Sequence, residues 1–255
     1  MTPTESSYFS KEAEIEYMGS SQFKSFMDCE ARTIAEINGE YIREGKDAFM
    51  EGNFVEAYFE NTLDEFITNN PGMVASRGPN KGELKANFKG LYDTIKAGRD
   101  DPFWMEYMTG QSQVIKTGEI AGVKFKTKID RYIHGERIVD LKVMKDFKKQ
   151  WKNGAYTSFI EFWGYDTQAA IYQAVEGNHL PFYIAGLTKE KEPDHAIFHI
   201  TQDYLDLALQ NVIEWAPYFK LLKDGFGEPK RCEKCDYCKS TKKLKGVIDI
   251  GDIDI

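Results

Sequence analysis

Residues 126–145 read KTKIDRYIHGERIVDLKVMK, and the placement of their charges decides the fold. Two alternating runs, VKFKTKIDRYI and RIVDLKVM, flank His134-Gly135-Glu136, which suits a three-residue hairpin loop. With the turn centred on Gly135, residues equidistant from it lie opposite each other, so Asp130 faces Asp140. The alternation supports this register: Val139, Leu141 and Val143 form an apolar face, while Asp140 and Lys142 share the other. A two-residue loop would instead set Asp130 beside Val139 on the core face. Directly opposed side chains have Cβ atoms roughly 4.5–5.5 Å apart, and like charges there destabilise a sheet. Two carboxylates that close suit a hard divalent cation such as Mg²⁺ or Mn²⁺. Lys142, one pleat further along, could hold a water or stabilise charge on a phosphate. D-x-K alone equally describes a polar strand face with Lys142 salt-bridged to one aspartate.

Outward from the hairpin, helical spacing predicts helices over 22–37 (after Ser20 and Ser21), 53–67 and 82–98, the last ending at Gly98. Strands follow over 113–120 and in the hairpin, then a long helix over 159–178. Two strands (181–188 and 195–200) and a closing helix over 203–222 complete the order. Helices, three strands, a helix, two strands and a helix make an α/β (α+β) domain, a central mixed sheet flanked by helices. Residues 1–228 are expected to form this domain. Residues 229–255, lacking helical periodicity and rich in cysteine, are expected to pack back on the N-terminal helix through Cys29.

The 255 residues are 42% hydrophobic and 29% charged, enough apolar material for a sizeable core. No run of 18 apolar residues suggests a membrane span, and the polar, acidic start is unlike a signal peptide. A cytoplasmic location is expected, where cysteines serve as ligands or free thiols rather than disulfides. The net charge of −8 argues against nonspecific nucleic-acid binding. The distribution is uneven, however. Lys145, Lys148, Lys149 and Lys152 cluster against Asp146 alone, and seven basic residues between Lys230 and Lys245, Lys242 and Lys243 among them, face only Glu233 and Asp236.

All four cysteines belong to one pattern: Cys29, and Cys232, Cys235 and Cys238 within CEKCDYC. Such spacing puts three thiolates around one centre with Cys29 as a fourth, for a [4Fe–4S] cluster or Zn²⁺.

An Asp followed about ten residues later by D-x-K resembles the signature of the PD-(D/E)XK nuclease superfamily. Gln168-Ala-Ala-Ile-Tyr172 on the next helix is similar to the Q-x-x-x-Y pair of its RecB-like branch, with both side chains on one helical face. Gly52-Asn-Phe-Val-Glu56 occupies the place of that branch's G-x-x-x-H, with Glu56 for the metal-binding His and Glu60 competing one turn later. One N-terminal cysteine with a C-terminal trio resembles AddB-type iron–sulfur nucleases, although the trio is more tightly spaced here. In motif order nearly the whole chain resembles phage exonucleases related to exodeoxyribonuclease VIII.

The resemblance implies a restriction-endonuclease-like core with Asp130, Asp140 and Glu56 as metal ligands and Lys142 acting on water at the scissile phosphate. Gln168 and Tyr172 would position the substrate strand, and the lysines at 145, 148, 149, 152, 242 and 243 would bind phosphates. It further implies 5′→3′ digestion of duplex DNA ends in phage-type recombination, beside a single-strand annealing protein; a homo-oligomer is a separate expectation, with no motif of its own. Two alternatives stay open: a structure-specific endonuclease on the same fold, and a non-catalytic, zinc-containing nucleic-acid-binding module.

Overall fold

The computed structural model describes residues 2–43, 47–152, 154–244 and 246–247. Its helices are α1 (Lys11–Glu16), α2 (Ser20–Asp28), α3 (Glu30–Asn38), α4 (Asp47–Phe59), α5 (Leu63–Asn69), α6 (Ala86–Arg99), α7 (Pro102–Tyr107), α8 (Phe159–Phe162), α9 (Tyr165–Glu176), α10 (Gln202–Lys223) and α11 (Asp236–Ser240). The strands are β1 (Met18–Gly19), β2 (Gln111–Ile120), β3 (Val123–Ile133), β4 (Arg137–Met144), β5 (Gln150–Lys152), β6 (Ala155–Thr157), β7 (Phe182–Thr188) and β8 (His195–Ile200).

β2, β3, β1, β4, β7 and β8 make one mixed sheet, and β5 with β6 a separate two-stranded ribbon. β2 runs antiparallel along one edge of β3, leaving the other edge to two partners. Near its start β3 takes the short parallel β1 at Phe125 and Lys126; near its end it takes β4, Arg131 opposite Val139 and Ile133 opposite Arg137. That register is the one centred on Gly135, which adopts a φ of +73° open to glycine. β4 continues parallel to β7, and β7 antiparallel to β8.

Period-two alternation sorts β4 between two cores. Val139 and Leu141 join Phe54, Leu91, Ile95 and Trp104 beneath α4, α6 and α7. Ile138, on the opposite face, packs with Phe26, Ile171, Val212 and Phe219 beneath α2, α9 and α10. The mixed sheet with helices on both faces matches the expected class.

Three predicted helices are each divided in two. The helix expected over 22–37 stops at Asp28, because Cys29 is extended (φ −165°, ψ 106°) between α2 and α3. The helix expected over 53–67 breaks before α5, with Asn61 at φ +59°. The helix expected over 159–178 turns at left-handed Gly164, which separates α8 from α9. Apolar spacing carries through each break, so periodicity alone joins the halves. The third helix runs one residue past Gly98, whose missing side chain leaves room for Trp104 and Leu187. The segment expected to lack helix contains α11. Lys245 and most of the acidic tail lie outside the described residues.

Candidate active site

β3 and β4 pair only as far as Arg131 and Val139, and then part. At the fork the Asp130 carboxylate accepts the Leu141 N–H at 2.8 Å, doing the work of the ladder bond that the splaying strands forgo. Asp140 leaves β4 on the opposite face from Leu141, is 2% exposed, and accepts 2.7 Å from Gln168 Nε2. Lys142 Nζ forms an ion pair with the other Asp140 oxygen. The salt bridge read as one explanation of D-x-K is therefore present, within a larger assembly.

Glu56 approaches from α4, where Gln113 of β2 donates to its carboxylate. Glu60 turns instead to Arg131, 3.5 Å away. Burial, then the charges of Asp140 and Glu56, raise the Asp130 carboxyl well above the usual carboxylate range. Burial pulls the Lys142 ammonium down, but Asp140 and Asp130 outweigh it and hold it above its ordinary value. Three carboxylates that repel one another about a single lysine are a donor set suited to a divalent cation. Their oxygens are not gathered into a cage: among the described residues, only the thiolates bring three or more metal-ligating groups together.

Gln168 and Tyr172 share a face of α9, but that face looks inward. Gln168 holds Asp140, and Tyr172, 7% exposed, donates to the Lys128 carbonyl at 3.1 Å. Gln168 and Tyr172, expected to position the substrate strand, direct their polar atoms to the Asp140 carboxylate and to the Lys128 carbonyl of β3.

Sequence reading missed Tyr165 and Lys24. The Lys142 ammonium lies 5.2 Å from the Tyr165 ring centroid and that of Lys24, from α2, lies 5.6 Å from it. Burial, with Lys142 nearby, lowers the Lys24 ammonium to about 8. Tyr165 stands three residues before Gln168 and so was within reach of a motif search. Lys24 sits between the apolar residues of α2 with no local signal. Lys145, Lys148, Lys149, Lys152, Lys242 and Lys243 are all exposed.

Away from the fork, the extended backbone of Cys29 brings its sulfur among the C-terminal trio. Its Sγ lies 3.6 Å from Cys238 and 3.8 Å from Cys235, and Cys232 lies 3.9 Å from Cys238. All four sulfurs fall within 4.8 Å of one another. The Cys235 N–H donates to Cys232 Sγ. Ala31 N–H bonds the Lys230 carbonyl, and Glu30 accepts from Lys230 N–H and the Tyr218 hydroxyl. These contacts hold the C-terminal segment against α3.

A mixed sheet that forks at an Asp, with D-x-K on the partner strand and helices on both faces, defines a PD-(D/E)XK-type domain. The chain belongs to the family described as PDDEXK-like domain of unknown function (DUF3799), whose model matches residues 19–241. A crystal structure from Eubacterium rectale, described as "Putative exonuclease", is similar along 99% of this chain and 98% of its own, at 42% identity and a TM-score of 0.92. No match is found among the curated proteins.

Proposed function

We propose that the chain is a Mg²⁺- or Mn²⁺-dependent deoxyribonuclease that digests duplex DNA from its ends. The observation that carries the reading is the fork itself, where Asp130, Asp140 and Lys142 converge as β3 leaves β4. Asp130, Asp140 and Glu56 would hold the cation, which would supply an activated water and neutralise charge on the phosphate. Glu60 is the weaker third candidate because Arg131 already pairs with it. Lys142, paired with Asp140, would donate to the attacking water or to a phosphate oxygen. Gln168 fixes the rotation of Asp140, and Tyr172 fixes β3 behind Asp130. The exposed lysines would meet the DNA backbone, so binding weakens as salt rises.

The exonuclease reading draws on the Eubacterium rectale relative. The family resemblance extends it to 5′→3′ digestion in phage-type recombination, beside an annealing protein. End-labelled linear duplex and a closed circle, each with Mg²⁺ or Mn²⁺, form the test. Loss of the linear form alone, abolished in Lys142→Ala, supports the exonuclease, and the label position gives polarity. Cutting of the circle would instead select the endonuclease, and no cutting of either would leave the binding module.

For the thiolates we propose one Zn²⁺ rather than a [4Fe–4S] cluster. Four sulfurs about 2.3 Å from one tetrahedral ion stand about 3.8 Å apart; three pairs here lie 3.6, 3.8 and 3.9 Å apart and all four sulfurs fall within 4.8 Å of one another. A cluster binds each thiolate to a different iron and spreads them further. Metal analysis of the purified protein should find one zinc per chain, in a colourless solution. A brown protein containing iron and inorganic sulfide would overturn this assignment.

A further inference from the structure

Between β4 and α8 the chain makes the small β5–β6 ribbon, which among the described residues pairs with no other strand. Two three-residue strands are marginal alone, and this ribbon is moored at both ends. Phe147 before it packs on Phe159 and Phe198, ring centroids 5.6 and 5.0 Å away. Lys152 Nζ donates to the Phe162 carbonyl at 3.4 Å. Trp151 and Tyr156 lie directly opposite each other, their rings edge to face with centroids 5.0 Å apart. They are 61% and 69% exposed.

A cross-strand aromatic pair stabilises a ribbon, but that does not account for its surroundings. Lys148, Lys149 and Lys152 are exposed beside it, a setting that suits an anionic partner with flat apolar surfaces. Bases inside a duplex are already stacked, so outward-facing rings serve unpaired ones. A path of contacts joins the ribbon to the fork. Lys152 holds Phe162, Lys24 holds the Trp163 carbonyl at 3.3 Å, and Lys24 and Lys142 both approach the Tyr165 ring.

We propose that Trp151 and Tyr156 form a stacking platform for unpaired bases of single-stranded DNA, with Lys148, Lys149 and Lys152 on the backbone. Its use beside the fork rests on the nuclease reading, whereas its binding of single strands does not.

The test uses the full-length chain carrying Lys142→Ala, so that DNA survives, with fluorescein-labelled oligodeoxythymidine and a duplex of equal length. Trp151→Ala should bind the single strand about tenfold more weakly (~1.4 kcal/mol) and the duplex as before. Trp151→Phe, which keeps a ring, should recover most of the loss, and Tyr156→Ala should reproduce it in part. Circular dichroism establishes that each variant is folded. Unchanged single-strand affinity in Trp151→Ala, or an equal loss on duplex, overturns the platform. Should the wild type cut linear duplex while Trp151→Ala binds like its parent, the platform fails and the nuclease stands. If the wild type cuts nothing yet loses single-strand affinity on Trp151→Ala, the platform stands and the nuclease reading fails.

Discussion

Asp130 carries a cost in the metal-free chain. Its carboxyl is raised by burial, by Asp140 and by Glu56, so the folded state binds its proton more tightly than the unfolded state. Stability then falls as pH rises from the unfolded carboxylate value of about 3.9 through the folded one. Asp130→Asn keeps an oxygen for the Leu141 N–H and removes the charge. Without divalent cation its melting temperature should exceed wild type at neutral pH, and the gap should close in acid. Added Mg²⁺ should raise the melting temperature of wild type and leave the variant unmoved. A variant less stable than wild type at neutral pH would remove the repulsion argument.

Gln168 makes a neighbouring prediction, since its amide donates to a buried charge. Such hydrogen bonds contribute about 1.5–3 kcal/mol, so Gln168→Ala should lower kcat roughly ten- to hundredfold while duplex affinity holds. Equal loss in kcat and affinity would return Gln168 to direct substrate contact.

At the scale of elements, α9 is anchored at both ends. Its last residue, Glu176, accepts from Tyr132 OH at 2.8 Å, Asn178 Nδ2 at 3.0 Å and Lys116 Nζ at 3.2 Å, which ties the helix to β2 and β3. Burial raises this carboxyl, but Asn178, Tyr132 and Lys116 together bring it down to about 2. A depressed carboxyl stabilises the fold above its unfolded value and loses that contribution as pH falls through the folded one. Glu176→Gln should cost about 1.5–3 kcal/mol at neutral pH, the usual worth of hydrogen bonds to a charged group, a difference that denaturant melts should show shrinking below pH ~4.3. A pH-independent difference would assign the loss to packing alone.

At its start α9 depends on Gly164, with φ +62°, where an added Cβ would meet Lys24 Cδ at 2.8 Å. Gly164→Ala should cost about 1–2 kcal/mol and slow cutting by moving Tyr165 and Gln168 together. Full activity in this variant would show that the turn does not position them. The division of the predicted helices at Cys29, Asn61 and Gly164 belongs to this scale too. Cys29 is drawn out toward the C-terminal sulfurs, while Asn61 and Gly164 adopt left-handed backbone, and apolar spacing encodes neither.

For the whole molecule, the C-terminal segment is held by a cluster of its own, Cys29, Ala31 and Cys238, separate from the two cores that flank the sheet. Loss of the thiolate site should therefore free that segment and leave the sheet folded. In Cys238→Ser, limited trypsin digestion should cut first at the basic residues between 230 and 243, while the far-ultraviolet spectrum persists. Concerted unfolding with no early cut would show that the site holds the whole chain together. The overall charge of −8 masks local lysines at the ribbon and in this segment, the ones the proposed DNA contact would use.

The hairpin register was legible in the sequence because period-two alternation and a three-residue loop leave one pairing that puts Val139 and Leu141 inside, although the strands part before Asp130 and Asp140 come opposite each other. The thiolate trio was legible because CEKCDYC places its sulfurs by local spacing alone. Other features needed the tertiary structure. The parting of β3 from β4 at Asp130, the extended Cys29, the inward turn of Gln168 and Tyr172 and the recruitment of Lys24 each depend on what packs alongside. Local periodicity describes an element's faces; which face meets another element is decided by packing between residues far apart in the chain.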